Sequence, residues 1–404
     1  MKKFSITILL ISYLFCAYSQ QEEIVNYRRS SLYSILIAHP KQEFHKDITE
    51  VFFSIPIPEK FNNHDLSVKV ISSDEKKQEK LDNIHDFIDR NTLARRMLGK
   101  WFDRDPETGY FDMNLIASRG NYDATYFDVE LAKKTARGVG QLADAGEELI
   151  GNTFLIVNDI KYIDKSKAAK VFGAIIAVAG AAAGGATGNT GLTDLGKSIG
   201  DLASKIKGFK VTVTTYLYRL EWNEEIAGTL YQYYYMTEKD FNTQKKMAFD
   251  NERQLFKLRY VGKQAVHSGK TSMEGINTET PEQMIRKVCT RSIDKSIVEL
   301  QRAHEEFRVK TPIFETGSTI KAKIGLKEGI SSNSKFEVLE QSINKDGKTE
   351  YRRVGIIKPI SDKIWDNRYM AMEEKAANSH LTCTEFKKIS GGDFYPGMLI
   401  REIK

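Results

Sequence analysis

Lys2 and Lys3 precede an apolar stretch from Phe4 to Phe15 that only small polar residues interrupt. Ala17-Tyr18-Ser19 then places small side chains where a signal peptidase accepts them. The pattern predicts cleavage after Ser19, so the chain that folds starts at Gln20 and does so outside the cytoplasm. The apolar stretch falls short of the roughly 20 residues that a spanning helix needs, which argues against an uncleaved anchor. Cys16 follows the bulky Phe15, a poor match to a lipidation signal, so a free exported chain is expected, in the periplasm or at the outer membrane or cell surface.

That compartment limits the chemistry. Nucleotides are scarce there, and of three cysteines only Cys289 and Cys383 survive cleavage. In an oxidising environment the two can pair as a disulfide or remain as separate buried thiols, and two cysteines carry no spacing information to decide. The formal charge of +6 falls further once Lys2 and Lys3 leave, too small an excess to imply a nucleic-acid partner.

A chain of 404 residues exceeds one ordinary domain. A first α/β unit is expected over 20–105. It has a buried strand at Leu32–Ala38 ended by His39-Pro40, and a second apolar run at Val51–Ile55 stopped by Pro56-Ile57-Pro58. Alternation over Leu66–Ile71 and a helix from Ser73 or Asp74 to about Leu98 complete it. A central unit over 110–307 carries a helix at Ala132–Leu149 and strands at Thr153–Ile163, Phe209–Trp222 and Ile226–Met236. The last two are joined by Asn223-Glu224-Glu225 as an antiparallel hairpin. Between the first two of these strands lies a helical insertion over 165–208, rich in Gly and Ala. Thr280-Pro281-Glu282-Gln283 is a capping box with proline at the first helical position. It starts a helix whose apolar stripe is Ile285, Cys289, Ile293, Ile297, Leu300, His304 and Phe307.

From 308 to 404 the pattern changes to short strands, at Phe336–Glu340, Gly355–Lys358 and Met398–Ile400, with a tight turn at Lys345-Asp346-Gly347-Lys348. The expected fold is therefore α+β and multidomain: an antiparallel sheet with a helical insertion, plus a small C-terminal β-barrel-like domain.

The run Ala322-Lys323-Ile324-Gly325-Leu326-Lys327-Glu328-Gly329-Ile330, followed by Lys335-Phe336-Glu337-Val338-Leu339, resembles the small C-terminal β domain of the flagellar assembly protein T family. The chain as a whole is similar in style to secreted envelope proteins of Gram-negative bacteria, a likeness that implies a compartment and little chemistry.

Val171, Phe172, Ile175, Ile176, Gly180 and Gly184 form an apolar, small-residue face with a GxxxG spacing suited to a membrane or partner contact, or to packing on the protein's own sheet. Asp82, His85, Asp86 and Asp89 share one helical face that can supply metal ligands, but any solvated polar face looks the same. Gly269-Lys270-Thr271 ends like a phosphate loop, yet Gln264 stands where that loop needs glycine. Asp123, Asp128, Glu147 and Glu148 are carboxylates whose spatial separation linear spacing does not reveal. Tyr216, Tyr218, Tyr231, Tyr233, Tyr234 and Tyr235 crowd the expected hairpin as a core or a binding platform. No catalytic residue, cofactor or metal site is assigned. The expected function is that of a non-enzymatic envelope protein binding a protein or other envelope component. An accessory of outer-membrane assembly and a cell-surface hydrolase are the alternatives.

Overall fold

Two strands buried on both faces organise the larger part of the molecule. The structure, a computed structural model, describes residues 30–72, 80–116, 119, 149–164, 206–273, 280–343 and 349–403. Strand β1 (Ser31–Ala38) is followed by helix α1 (His45–Ser54), short strands β2 (Asn62–Asn63) and β3 (Val70–Ser72), and helices α2 (Lys80–Arg90) and α3 (Leu93–Trp101). Next come β4 (Thr153–Asp164), β5 (Ile206–Leu220), α4 (Glu224–Tyr233), α5 (Thr243–Asn251), β6 (Leu258–Met273) and α6 (Pro281–Ala303). Leu32, Tyr33, Ile35 and Leu36 of β1, and Phe154 to Val157 of β4, are sealed on both sides, as continuous apolar runs in a covered sheet must be.

The sheet order is β2/β3, β1, β4, β5, β6. β4, β5 and β6 are antiparallel, as expected of the sheet, but β1 runs parallel to β2, β3 and β4, so the sheet is mixed. It draws strands from both the first and the second expected units. One face is covered by α2 to α5 over an aromatic core that includes Trp101, Phe102, Phe111, Tyr218 and Phe249. The other is covered by α1 and α6, over Leu32, Phe154, Ile156, Val211 and Leu217.

Several local expectations change for identifiable reasons. Val51–Ile55 belongs mostly to α1, because Ile48, Val51 and Phe52 fall at helical spacing and bury one face while Phe53 stays out. The helix expected to run unbroken to Leu98 is split into α2 and α3 at Thr92, whose φ is 47°. Ile226–Met236 is no strand. Asn223, read as a turn residue, caps α4 by accepting from Ile226 N at 2.9 Å, and Glu224 and Glu225 occupy the favourable first turn. The strand that pairs with β5 is instead β6, where Val266 is the one deeply buried side chain over 258–268, and this together with its exposed charges hid it from pattern reading. Ile206 to Gly208, placed at the end of the insertion, belong to β5. Residues 165–205, the Ala132–Leu149 helix except Leu149, and the turn at 345–348 lie outside the described residues.

α6 forms as its capping box requires: Gln283 N donates to Thr280 Oγ1 at 3.2 Å and Thr280 N to Gln283 Oε1 at 3.0 Å. Ile285, Cys289, Ile293, Ile297 and Leu300 are all buried against the sheet. The helix ends at Ala303, with His304 as C-cap and Phe307 in a separate turn that still reaches the same core.

The C-terminal part is a closed barrel. Strands β7 (Thr311–Thr316), β8 (Ile320–Ala322), β9 (Lys335–Ile343), β10 (Thr349–Pro359), β11 (Thr384–Gly391) and β12 (Leu399–Ile403) pair in the ring order β10-β11-β8-β7-β12-β9. Closure leaves no open edge, and Ile313, Phe336, Val338, Ile357, Phe386 and Ile400 fill the interior.

The barrel docks on α6. Arg302 donates to Gly329 O at 2.7 Å and pairs with Glu402 at 3.3 Å, while Arg291 pairs with Glu374 at 2.7 Å, beside the Lys287–Glu374 pair. Lys60 reaches over from the sheet side to Lys323 O at 2.8 Å. Gly329 sits at φ +77°, and a Cβ there would come within 2.5 Å of Val298 Cγ1 on α6. Gly329→Ala should therefore lower stability by about 1–3 kcal/mol in urea unfolding. Gly392→Ala, with nothing within 4 Å, should change it by less than about 0.5 kcal/mol.

Candidate functional site

The outer edge of β1 is covered by β2 at one end and β3 at the other, and between them the chain arches away. Ser30 O accepts from Asn62 N, Leu32 O from His64 N at 3.0 Å, and Leu36 N donates to Lys69 O at 2.8 Å. The backbone groups of even-numbered residues thus face this edge, and those of Ser34 face the interval where the edge strand is missing.

The arch over 65–69 is held toward the opposite face of the sheet. Arg96 donates to Leu66 O at 2.9 Å, Lys100 to Asp65 O, and Tyr33 Oη to Val68 O. Leu66 packs into the aromatic core, and Ser67 adopts φ 66°. Burial raises the Tyr33 hydroxyl to about 12 and lowers the Lys100 ammonium below its usual range. His64, at the foot of the arch, bonds Met97 O at 2.9 Å and stacks on Trp101. Its burial, against which the Met97 bond works, holds the imidazole neutral with its pKa pushed down to about 3.

On the α6 face, the interval opens into a cavity of about 210 Å³. Its walls are Leu32, Phe52, Phe53, Ile55, Ile57, Ile156, Ile293 and Ile297, with Pro56 and Pro58 stiffening the loop that follows α1. Its polar lining is Ser34, Asn63, Asp65, Lys69 and Asp294, beside Tyr33, whose hydroxyl is bonded to Val68 O. Asp65 and Lys69 pair with each other at 2.8 Å.

Ser34 belongs to a buried polar chain. Asn158 Nδ2 donates to Ser34 Oγ at 3.0 Å. Thr215 Oγ1 donates to Asn158 Oδ1 at 3.0 Å and lies 2.9 Å from Ser296 Oγ of α6, which donates to Ile293 O at 2.8 Å. Asn158, Thr215 and Ser296 are fully buried. Because Asn158 donates to it, Ser34 Oγ keeps its own proton available to the cavity.

Asp294, one turn before Val298 on α6, carries a carboxyl raised to about 6. Burial is the main cause; Glu328 raises it further and Lys327 offsets that. Within hydrogen-bonding distance it has no partner among the described residues. An apolar cavity with a few convergent polar groups and a perturbed carboxyl is the usual form of a small-ligand site.

Larger hollows exist, and several of their charges are engaged within the fold. In the 320 Å³ cleft between α6 and the barrel, Arg302 pairs with Glu402, Arg401 with Glu337, and Arg308 bonds Gln301 O. In the 430 Å³ depression on the barrel, Lys388 bonds Gly392 O and lies over the Phe394 ring.

The residues singled out from sequence fare differently. Val171, Phe172, Ile175, Ile176, Gly180 and Gly184 lie outside the described residues, as do Asp123, Asp128, Glu147 and Glu148. Cys289 is buried on the sheet-facing side of α6 and Cys383 is half-buried at the barrel; both are free, so the pairing considered for them is not formed. Asp82 and Asp89 are exposed, Asp86 pairs with Arg90, and His85 turns edge-on to Tyr218 and Tyr260. Among the described residues no three His, Cys, Asp or Glu converge on a metal position. Gly269, Lys270 and Thr271 are ladder residues of β6, paired with Lys210, Phe209 and Gly208, a geometry that cannot cradle phosphate. Tyr231, Tyr234 and Tyr235 pack against the aromatic core from α4 and its end, while Tyr233 is exposed. Ser34 and Asp294 were missed. Ser34 was visible as the polar break in Leu32–Ala38, and Asp294 as the acid beside Ile293 on the apolar stripe.

No family model matches this chain, and no curated protein matches it. No helix among the described residues is long and apolar enough to cross a membrane.

His64 and Asp294 act on stability with opposite sign. His64 is lowered on folding, so its contribution is present above pH 6.5 and is lost as pH falls toward 3. Asp294 is raised, so folding favours its protonated form and stability declines as pH rises from 3.8 through about 6. Asp294→Asn should therefore be more stable than the parent by about 1–3 kcal/mol at pH 8, a gain that shrinks toward zero at pH 4. In that background His64→Gln should flatten the loss of melting temperature between pH 6.5 and 4.

Proposed function

We propose that this chain is an exported, non-enzymatic protein of the cell envelope that works by binding a partner, with the cavity at the broken edge of β1 as the place of contact. The observation that carries this reading is the meeting of Ser34 and Asp294 in one apolar hollow. The leader formed by Lys2, Lys3, the apolar stretch and Ala17-Tyr18-Ser19 supports export.

The polarity of the Ser34 bond supports binding over catalysis. A nucleophilic serine needs a base that accepts its proton. Here the neighbour, Asn158 Nδ2, is a donor at 3.0 Å, which holds the hydroxyl as a hydrogen-bonding group and withdraws nothing from it. The docking of barrel on α6 supports a scaffold whose cavity walls hold still, since Asp294 lies on the helix that also anchors Glu374 and Glu402.

A photo-crosslinking amino acid placed at Phe53, which is 47% exposed on the cavity rim, should give a defined adduct in a Gram-negative host. One placed at Ile389, exposed on the barrel, should not. The recovered protein should begin at Gln20 and fractionate with the envelope. Uncut protein in the cytosol, or equal labelling from both positions, would count against the reading.

A further inference from the structure

We propose that the cavity at the broken edge of β1 binds a small primary amine carried on an apolar body, its ammonium group held by the Asp294 carboxylate, Ser34 Oγ and the Ser34 carbonyl. The inference rests on the binding role proposed above and names its chemistry.

Asp294 and Ser34 leave a set of acceptors to a ligand. Asp294 makes no hydrogen bond among the described residues, Ser34 C=O faces the interval between β2 and β3, and Ser34 Oγ keeps a lone pair beside the bond from Asn158. An ammonium carries three donors and no acceptor, which matches that set. A carboxylate ligand would instead meet the Asp294 charge.

Charge agrees. Within the cavity Asp65 and Lys69 cancel as a 2.8 Å ion pair, leaving Asp294 as the uncompensated group. The barrel presents Lys327 and Glu328 to Asp294, and these oppose each other. On α6 itself Arg291 is occupied by Glu374 and Tyr369 O. The loop from Ile55 to Pro58 adds no charge. An incoming ammonium would neutralise a carboxylate that burial penalises, so it gains more here than at a solvated acid.

Size and wall chemistry set the body of the ligand. A cavity of roughly 150 Å³ takes a benzene-sized ring, and this one measures about 210 Å³ with aliphatic and aromatic walls. Cyclohexylmethylamine is a fitting probe. The Ser34 N–H, the Ser34 hydroxyl proton and the Asn63 amide remain as donors, suited to a hydroxyl or amide oxygen beside the amine.

The test is calorimetric titration of the full mature protein with cyclohexylmethylamine, cyclohexylmethanol and cyclohexanecarboxylate at pH 8 and pH 5, with circular dichroism to verify each variant's fold. The amine should bind at pH 8 at least about tenfold more tightly than the alcohol, and the acid should not bind. Asp294→Asn, which removes a buried charge and keeps the fold, should weaken the amine by about 10- to 100-fold. Ser34→Ala should weaken it less. At pH 5, where Asp294 is mostly protonated, the parent should lose roughly tenfold. Equal affinity for amine and alcohol, or unchanged amine affinity in Asp294→Asn, would overturn the proposal. A crosslink from the Phe53 position without any amine binding would overturn the ligand class and leave the binding role standing. Loss of both would remove both.

Discussion

The packing of α6 on the sheet is the interaction on which the rest of the structure depends. Ile285, Ile293, Ile297 and Leu300 are buried there beside Cys289, and each aliphatic side chain fully withdrawn from water contributes about 1.5–3 kcal/mol. Their sum is comparable with the whole net stability of an ordinary domain, so the helix cannot lift away without unfolding what lies beneath it. Apolar packing alone leaves a helix free to slide by a turn. The bonds linking Ser296, Thr215, Asn158 and Ser34 remove that freedom, because a shifted helix would strand fully buried polar groups.

One helix therefore serves three neighbours. Its apolar stripe closes the sheet face, its charged side holds the barrel through Arg291 and Arg302, and Asp294 faces the cavity between. The cavity exists because the edge strand is interrupted, and the interruption persists because α3 draws the arch to the far side through Arg96 and Lys100. An unpaired carboxylate in such a place is a standing penalty above pH 6. A fold retaining it gives up stability that an asparagine would restore, as functional positions often do.

Much of this frame was legible in the sequence. β1, β4 and β5 announced themselves as long runs of residues that suit a covered sheet, and Thr280-Pro281-Glu282-Gln283 marked the first turn of α6, with its stripe as far as Leu300, because capping and periodicity are local. The barrel was legible in kind from its short strands, although its closure depends on β12 reaching both β7 and β9, which no local pattern encodes. What misled was also physical. The aromatic, β-branched composition of Val51–Ile55 and of Ile226–Met236 suits strands, but tertiary burial at i, i+3 and i+4 made helices of the residues around Phe52 and Leu230. β6 was hidden because an edge strand buries little. The candidate site was the least legible part, since Ser34 and Asp294 are 260 residues apart in numbering and meet only through the parallel placement of β1 under α6.

Native-state hydrogen exchange tests the role of α6 most directly. If the helix, the sheet beneath it and the polar chain form one cooperative unit, amides of 293–300, of 32–36 and of 154–158 should open together, with a single free energy close to that of global unfolding. Exchange of 293–300 at markedly lower free energy than the strands would contradict this account, because the helix would then be a cover that leaves the sheet intact.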